Sequence, residues 1–252
     1  MARIVAIIPA RMGSSRFPGK PLASLRGKPM IEHVYRRTAE STTVDYVYVA
    51  TCDKEIRSAV TDFGGRVIMT AATHERATDR VAEAIVHLES QDPTPIDLVV
   101  MVQGDEPMIT SAMIDAAISP FLEDRSVACV NLVRRIVNRE DYLDRNTIKV
   151  VMDVFHNALY FSRSPIPLTN FDEQPDAVFK QVCVIPFRRN FLRQFASWQP
   201  TPLEKLESID MLRILENGGQ VRLVETQEET HAVDTVEDLR RVEKSLSKQP
   251  GL

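Results

Sequence analysis

Four apolar runs separated by segments of helical periodicity constrain the fold of this chain more than any other feature. The runs lie at 5–8, 46–50, 66–69 and 98–102, and the helical patterns between them at 29–40, 55–63 and 79–89. Strands that are buried on both faces of a parallel sheet are typically continuous apolar runs. The alternation therefore predicts βαβ crossovers and an α/β fold with a doubly wound, mostly parallel sheet.

After residue 103 the alternation becomes less regular. We predict helices at 111–123, 190–198, 202–217 and 236–247, and strands at 128–134, 147–152, 158–161, 181–187 and 221–224. No repeat or obvious linker interrupts the chain, so residues 1–252 are predicted to form a single domain. The segment 154–188, which carries prolines and polar residues between two predicted strands, is expected to form a small inserted lobe.

Composition excludes several classes of protein. The chain has 252 residues, of which 44% are hydrophobic and 26% charged, and a net charge of −4, which argues against a dedicated nucleic-acid binder. The three cysteines are widely spaced and lack a CxxC pair, so they predict reduced thiols and neither a disulfide framework nor a zinc site. No apolar run approaches the roughly 20 residues that cross a bilayer, and the sequence predicts a cytoplasmic protein without a membrane partner.

The loop that follows the first apolar run predicts a phosphate site. Residues 9–20 read PARMGSSRFPGK, which places Arg11, Arg16 and Lys20 among glycines and serines directly after a buried strand. Small residues let backbone N–H groups approach an anion, and the cations add charge-assisted hydrogen bonds. The spacing matches neither a Walker loop nor a GxGxxG fingerprint.

Two carboxylates stand at comparable positions further along the chain. Asp105 follows the fourth apolar run, where a carboxylate can hold a divalent metal that bridges phosphate oxygens. Asp234 precedes the last helix, so it is either a second ligand of that metal or the helix N-cap. Spacing alone leaves both alternatives open for Asp234.

Six motifs carry a resemblance to a known family. They are residues 11–20 with their continuation 27–31, and residues 102–107, 158–163, 198–204 and 233–235. In this order they resemble the signatures of 3-deoxy-D-manno-octulosonate (Kdo) cytidylyltransferases, also called CMP-Kdo synthetases. The resemblance extends from about residue 4 to 242 and implies a nucleotide-diphospho-sugar transferase type of fold.

The resemblance implies a reaction and a set of site residues. These enzymes condense CTP with a sugar acid to give a CMP-sugar and pyrophosphate, in a cytoplasmic pathway that feeds lipopolysaccharide. The implied catalytic residues are Arg11, Lys20, Asp105 and Asp234, of which the two aspartates are the implied Mg²⁺ ligands. The implied CTP-binding residues are Ala10, Gly13, Ser14, Ser15, Arg16, His74, Thr78 and Arg80.

The implied acid site departs from the family. Gln103 and Arg163 match, and an arginine is the expected partner of a sugar carboxylate. Gln181, Ile185, Asp210 and Met211 replace other residues, which predicts an acceptor that differs from Kdo in its hydroxyls. The family pattern also changes at Arg76 and Ala77, in the implied base-binding segment.

Two alternatives to the leading function remain open: a nucleotidyltransferase of the same fold for another acid or base, and a non-catalytic nucleotide-binding relative. We also expect a homodimer, as in the family, with contacts through 154–188. That expectation rests on apolar residues that a thin lobe could not bury alone, namely Phe155, Tyr160, Phe161, Ile166 and Phe179.

Overall fold

The computed structural model describes residues 2–14, 16–169, 171 and 178–247. The chain divides into two compact units, which are Met1–Asp115 with Glu229–Leu252, and Ala116–Glu228. In sequence, the second unit is thus inserted between the two segments of the first. The expected lobe 154–188 belongs to the second unit, which extends beyond it on both sides.

The first unit contains the predicted parallel sheet. Its strands are β1 (Ile4–Pro9), β2 (Ser24–Leu25), β3 (Lys28–Pro29), β4 (Tyr46–Thr51), β5 (Val67–Met69) and β6 (Leu98–Val102). The order β6-β1-β4-β5 has parallel neighbours throughout, while β2 and β3 form a separate antiparallel pair. Every residue of β6 is buried, as its unbroken apolar sequence predicts. The four apolar runs are confirmed as strands, and the α/β class with a parallel sheet is confirmed.

Helices follow the strands of this sheet along the chain. They are α1 (Met30–Ala39), α2 (Lys54–Asp62), α3 (Ala77–Gln91) and α4 (Ser111–Glu123), the last of which continues into the second unit. In α1 and α3 the apolar side recurs at helical spacing, and the residues on it are buried, for example Val34 in α1 and Ile85 in α3. A short 3-10 helix, Lys20–Leu22, follows Gly19, whose φ of 73° is a left-handed conformation that favours glycine.

The second unit is built on a mostly antiparallel sheet. The strands of this unit are β7 (Val130–Arg135), β8 (Lys149–Met152), β9 (Ala158–Ser162), β10 (Phe179–Val182), β11 (Val184–Arg188) and β12 (Arg222–Thr226). The sheet order is β12-β7-β10-β8-β9, with a parallel contact only between β12 and β7. The predicted single strand 181–187 is wrong, because β10 belongs to this sheet and β11 does not. The break falls at Cys183, next to the Val182 carbonyl, which accepts a hydrogen bond from Asn131 Nδ2 at 3.0 Å.

The helices of the second unit are α5 (Arg139–Leu143), α6 (Arg189–Ser197), α7 (Pro202–Glu207) and α8 (Met211–Glu216). The predicted single helix 202–217 is wrong. Ser208 separates α7 from α8 with a left-handed φ of 58°. The carbonyls of Glu207 and Ser208 accept hydrogen bonds from the Arg163 side chain and not from a continuing helix. The one-turn helix α5, capped by Asn138, was not predicted because it is too short to show a period.

The final segment returns to the first unit as α9 (Val236–Leu246). Val242 and Leu246 of α9 pack in one buried cluster with Val233, Leu25, Met30 and Met108. This packing holds α9, and Val233 just before it, against Leu25 and Met30. Among the described residues, no helix is long and apolar enough to span a membrane.

Candidate active site

Three residues distant in sequence meet in the first unit. The Lys20 ammonium lies 2.6 Å from Asp105 Oδ2 and 3.0 Å from Asp234 Oδ1, and it donates to the Val233 carbonyl at 3.1 Å. Lys20 begins the 3-10 helix, Asp105 follows β6, and Asp234 precedes α9. The Val233 N–H donates to the Asp105 carbonyl at 2.8 Å, which joins the two carboxylate-bearing segments directly. The two aspartates implied as ligands of one metal thus lie near each other, with the Lys20 ammonium between them.

A glycine lets the end of β6 approach the end of β1. A Cβ atom at Gly104 would lie 3.2 Å from the Pro9 carbonyl oxygen and 3.2 Å from Ile31 Cδ1. Both distances are shorter than ordinary van der Waals contacts, so a larger residue would displace the backbone that carries Asp105. Gly104 thus helps to set the position of this carboxylate.

The cap of α9 excludes one of the two alternatives for Asp234. Thr235 is the N-cap, and its hydroxyl accepts a hydrogen bond from the Asp238 N–H at 3.2 Å. The Asp238 carboxylate accepts from the Thr235 N–H at 2.8 Å, which completes a capping box. Asp234 is therefore not the cap, and its Oδ1 instead faces Lys20 and, at 3.0 Å, the Arg16 guanidinium.

In this cluster the Lys20 ammonium has charged partners, whereas one oxygen of Asp105 has no hydrogen-bond partner among the described residues. Burial lowers the pKa of Lys20, but Asp105 and Asp234 raise it by more, so the pKa lies above its ordinary value and the ammonium stays charged. Asp105 Oδ1 is buried and has no hydrogen-bond partner among the described residues. A buried carboxylate oxygen without a partner is unfavourable, and a bound cation would satisfy it.

The loop between β1 and the 3-10 helix is held partly by its own backbone. The N–H of buried Ala10 donates to the Ala50 carbonyl at 2.9 Å, and Ser14 Oγ accepts from the Phe17 N–H at 3.3 Å. Gly13 and Arg11 are exposed, and Arg11 forms no ion pair with the described residues. Of the predicted phosphate-binding cations, Lys20 and Arg16 reach the carboxylates and Arg11 does not. Ser15 lies outside the described residues.

The residues implied in binding the cytosine base lie in and next to the loop between β5 and α3. Arg80 is buried and donates from Nη1 to Thr70 Oγ1 and, at 3.2 Å, to the Ala71 carbonyl. Thr78 is also buried, with its hydroxyl 3.8 Å from Met101 Sδ. His74 is more exposed to solvent than Thr78 and Arg80, and its Nε2 forms a hydrogen bond with Glu83.

Glu83 was missed by sequence reasoning. Its carboxylate accepts from the Ala71 N–H at 3.0 Å and bonds both His74 and His87. Burial raises the pKa of Glu83, but the hydrogen bonds from the two histidines and Ala71 prevail and hold it below its usual value. The four-residue spacing of Glu83 and His87 on a predicted helix is the sequence signal that could have found this cluster.

The predicted acid-binding residues lie in the second unit, except for Gln103. Arg163 donates to three carbonyls, those of Glu207 at 2.7 Å, Arg145 at 3.1 Å and Ser208 at 3.4 Å. The Gln181 amide donates to Asn131 Oδ1. Ile185 and Met211 are buried, and Asp210 is the N-cap residue of α8. Arg163 is thus held in a defined orientation, whereas Ile185 and Met211 contribute apolar packing.

A family model described as cytidylyltransferase matches residues 5–236 of this chain. The chain belongs to the cytidylyltransferase family. A 3-deoxy-manno-octulosonate cytidylyltransferase of Geobacter metallireducens is 47% identical over 256 residues, which cover 98% of each protein. Its counterpart in Syntrophus aciditrophicus is 48% identical over 242 residues, which cover 96% of each. The resemblance inferred from the six motifs is confirmed.

Solved structures of cytidylyl-transferring enzymes have a similar fold. A CMP:2-keto-3-deoxy-manno-octonic acid synthetase complexed with CTP matches with a TM-score of 0.87 and 36% identity, over 98% of this chain and 99% of that one. A 4-diphosphocytidyl-2C-methyl-D-erythritol synthase from Anaerococcus prevotii matches with a TM-score of 0.62 at 16% identity, which shows the fold alone. The cluster of Lys20, Asp105 and Asp234 in this cytidylyltransferase therefore lies in a fold that is seen with bound CTP in a related structure.

Proposed function

We propose that this cytidylyltransferase condenses CTP with Kdo to give CMP-Kdo and pyrophosphate. The observation that carries the proposal is the Lys20 ammonium held between Asp105 and Asp234 at the carboxyl end of the parallel sheet. This edge is where open α/β sheets bind their ligands. The curated relatives of 45–48% identity, which are named 3-deoxy-manno-octulosonate cytidylyltransferases, support Kdo as the acceptor.

The chemistry requires positioning and charge neutralisation more than covalent catalysis. A hydroxyl oxygen of the sugar acid attacks the α-phosphorus of CTP, a new P–O bond forms, and the bond to the pyrophosphate oxygen breaks. The hydroxyl proton is released to solvent and pyrophosphate leaves. In this proposal Arg16 and exposed Arg11 donate hydrogen bonds to the triphosphate, and Lys20, whose three donors are held by Asp105, Asp234 and the Val233 carbonyl, contributes its positive charge beside it. The neighbouring carboxylates raise the pKa of Lys20 above its ordinary value, so its ammonium is charged in the free enzyme.

The carboxylates fit a magnesium ion. Mg²⁺ is usually bound by one or two carboxylates together with substrate phosphates. In this proposal the two aspartates and the triphosphate would form the ligand set. Asp105 would use its buried, unpartnered Oδ1 and Asp234 its carboxylate. When bound, the ion supplies neutralisation of the charge on the phosphate oxygens.

Arg163 is proposed to pair with the carboxylate of the sugar acid. We expect a specificity constant for Kdo of about 10⁴ M⁻¹s⁻¹ or more, the ordinary enzymatic range. The measurement is pyrophosphate release from CTP with a panel of sugar acids. A value for Kdo far below that range, exceeded by another acid, would instead support the different acceptor that Gln181, Ile185, Asp210 and Met211 predict. No release of pyrophosphate with any acid of the panel would favour a non-catalytic relative.

We also propose a homodimer that forms through the segment 154–188. Val154, Phe155, Leu159 and Leu168 of this segment are exposed, with Leu168 99% and Val154 86% accessible. Part of the sequence argument was wrong, because Phe161 and Phe179 are buried by the second unit itself. An exposed apolar set of this kind is typical of an association surface.

Sedimentation at micromolar concentration is expected to give twice the chain mass of 28.5 kDa, which is 2 × 28.5 = 57 kDa. Leu168→Asp is expected to shift the protein toward the monomer, whereas Val137→Asp, at an exposed apolar residue outside the segment, is expected to leave it dimeric. A monomeric wild-type protein would contradict the proposal. From the family resemblance we also propose that the enzyme acts in the cytoplasm, in lipopolysaccharide biosynthesis.

A further inference from the structure

Lys149, at the start of β8, is a buried lysine that the reaction described above does not use. None of its surface is exposed. Its ammonium donates to the carbonyls of Asp144 at 2.7 Å, Thr147 at 2.6 Å and Arg163 at 2.7 Å. An ammonium has three donors, so these acceptors satisfy it completely, and all of them are neutral carbonyl oxygens.

Two of these contacts hold a loop, and the third holds the backbone of Arg163. The loop from Asp144 to Thr147 presents the Arg145 carbonyl, which accepts from Arg163 Nη1 at 3.1 Å. Lys149 therefore fixes both the peptide from which the Arg163 side chain extends and the loop that orients its far end.

Glu207 completes the support from the opposite side. Its carboxylate accepts from Ser162 Oγ at 2.6 Å and from the Arg163 N–H at 2.9 Å, and its carbonyl accepts from Arg163 Nε at 2.7 Å. Three of the five guanidinium N–H groups are thus used for orientation. The other two have no acceptor in the part of the chain that the structure describes, and a planar carboxylate can accept from them.

We propose that Lys149 is a positioning residue for Arg163, and that its charged ammonium orients the guanidinium that binds the carboxylate of the sugar acid. This inference rests on the proposed function. It assigns to Lys149 an effect on the sugar acid and not on CTP, whose proposed ligands lie in the first unit.

The charge of Lys149 is expected to change within the range of an enzyme assay. Burial, together with Arg163, lowers the pKa of Lys149 to about 8, although Asp144 and Glu207 act in the opposite direction. From the neighbouring strand, Lys180 is the register partner of Lys149, but its own ammonium pairs with Asp141 at 3.2 Å. Below about pH 8 the three hydrogen bonds are present, and above it a neutral amine has only two donors. Affinity for the acid should therefore fall as the pH rises through this value.

The first test separates the two substrates with Lys149→Met. We expect the KM for Kdo to rise about tenfold or more, which is the effect of losing one charge-assisted hydrogen bond between a misplaced Arg163 and the carboxylate of the acid. The KM for CTP should stay within about twofold. Lys180→Met is the matched control, since it removes another buried lysine of the same sheet that does not contact Arg163. Equal changes in both KM values, or the same change in Lys180→Met, would overturn the inference.

The second test uses the wild-type protein, so it holds even if Lys149→Met does not fold. The KM for Kdo is measured from pH 6.5 to 9.5, where the carboxylate of the acid stays ionised. We expect it to rise above about pH 8 in the wild type and in Lys180→Met, and a flat profile would overturn the inference. A wild-type protein that forms no pyrophosphate with any acid would instead contradict the proposed function.

Discussion

Asp105→Asn is expected to lower kcat/KM for nucleotide transfer by about 10³-fold or more, because metal neutralisation of phosphate charge is worth several kcal/mol in the transition state. The same result is expected for Asp234→Asn. Each change keeps the shape of the side chain and removes one anionic ligand from a cluster that already contains Lys20 and Arg16. Thermal unfolding should therefore shift by only a few degrees. Steady-state pyrophosphate release at saturating Mg²⁺ measures the loss.

Asp97→Asn is the matched control for this prediction. Asp97 lies just before β6 and Asp105 just after it, so the two carboxylates flank the same strand at opposite ends. Asp97 is exposed and accepts a hydrogen bond from the Arg3 N–H at 2.8 Å, away from the sheet edge that carries Lys20. Its replacement should leave kcat/KM within about twofold. Full activity of Asp234→Asn would remove that residue from the metal site.

Glu204→Gln is expected to destabilise the protein by about 3–5 kcal/mol, the usual cost of leaving one member of a buried ion pair without its partner. Glu204 and Arg213 are 0% and 1% exposed. Arg213 donates from Nε to Oε2 at 2.8 Å and from Nη2 to Oε1 at 2.6 Å, and its guanidinium lies 4.2 Å from the centre of the Phe195 ring. The pair thus joins α7 to α8 across the break at Ser208.

Urea unfolding followed by tryptophan fluorescence measures this loss. Trp198 is the single tryptophan of the chain and its ring centre lies 6.4 Å from that of Phe195, so its signal reports the second unit. Glu216→Gln is the control, because it changes an exposed glutamate of α8 that accepts from the Leu203 N–H. It should cost less than about 1 kcal/mol. Equal effects of the two variants would show that the buried pair is not what holds these helices together.

Much of the first unit could be predicted from sequence because one rule applies to it throughout. Strands buried on both faces have unbroken apolar sequences, and their carboxyl ends meet at one edge of the sheet. With that rule, Lys20 is predicted to lie in a phosphate site and Asp105 to hold a metal. Asp234 is left open between a second ligand and the helix cap, and the family resemblance implies the ligand. The role of Thr235 as the cap of α9 needed the structure, since Asp234 and Thr235 are both good N-cap residues.

The second unit was predicted less well because its decisive contacts are non-local and polar. The pattern of 202–217 favours one helix. However, the carbonyls of Glu207 and Ser208, which would accept hydrogen bonds in a continuous helix, accept them from the Arg163 guanidinium instead. Lys149 stands in an apolar strand sequence, where a lysine ordinarily indicates the solvent face. Its burial depends on three carbonyls from loops whose positions no local pattern reveals.

Phosphorus NMR of a reaction with the enzyme, CTP, Kdo and Mg²⁺ tests the central claim most directly, because it identifies both products at once. The proposed reaction predicts pyrophosphate and a new phosphodiester in equal amounts, each growing as the triphosphate signals of CTP disappear. Asp105→Asn should show neither product over the same period. Intact CTP after prolonged incubation with the wild type, or pyrophosphate accompanied only by CMP, would contradict transfer of the nucleotide to the sugar acid.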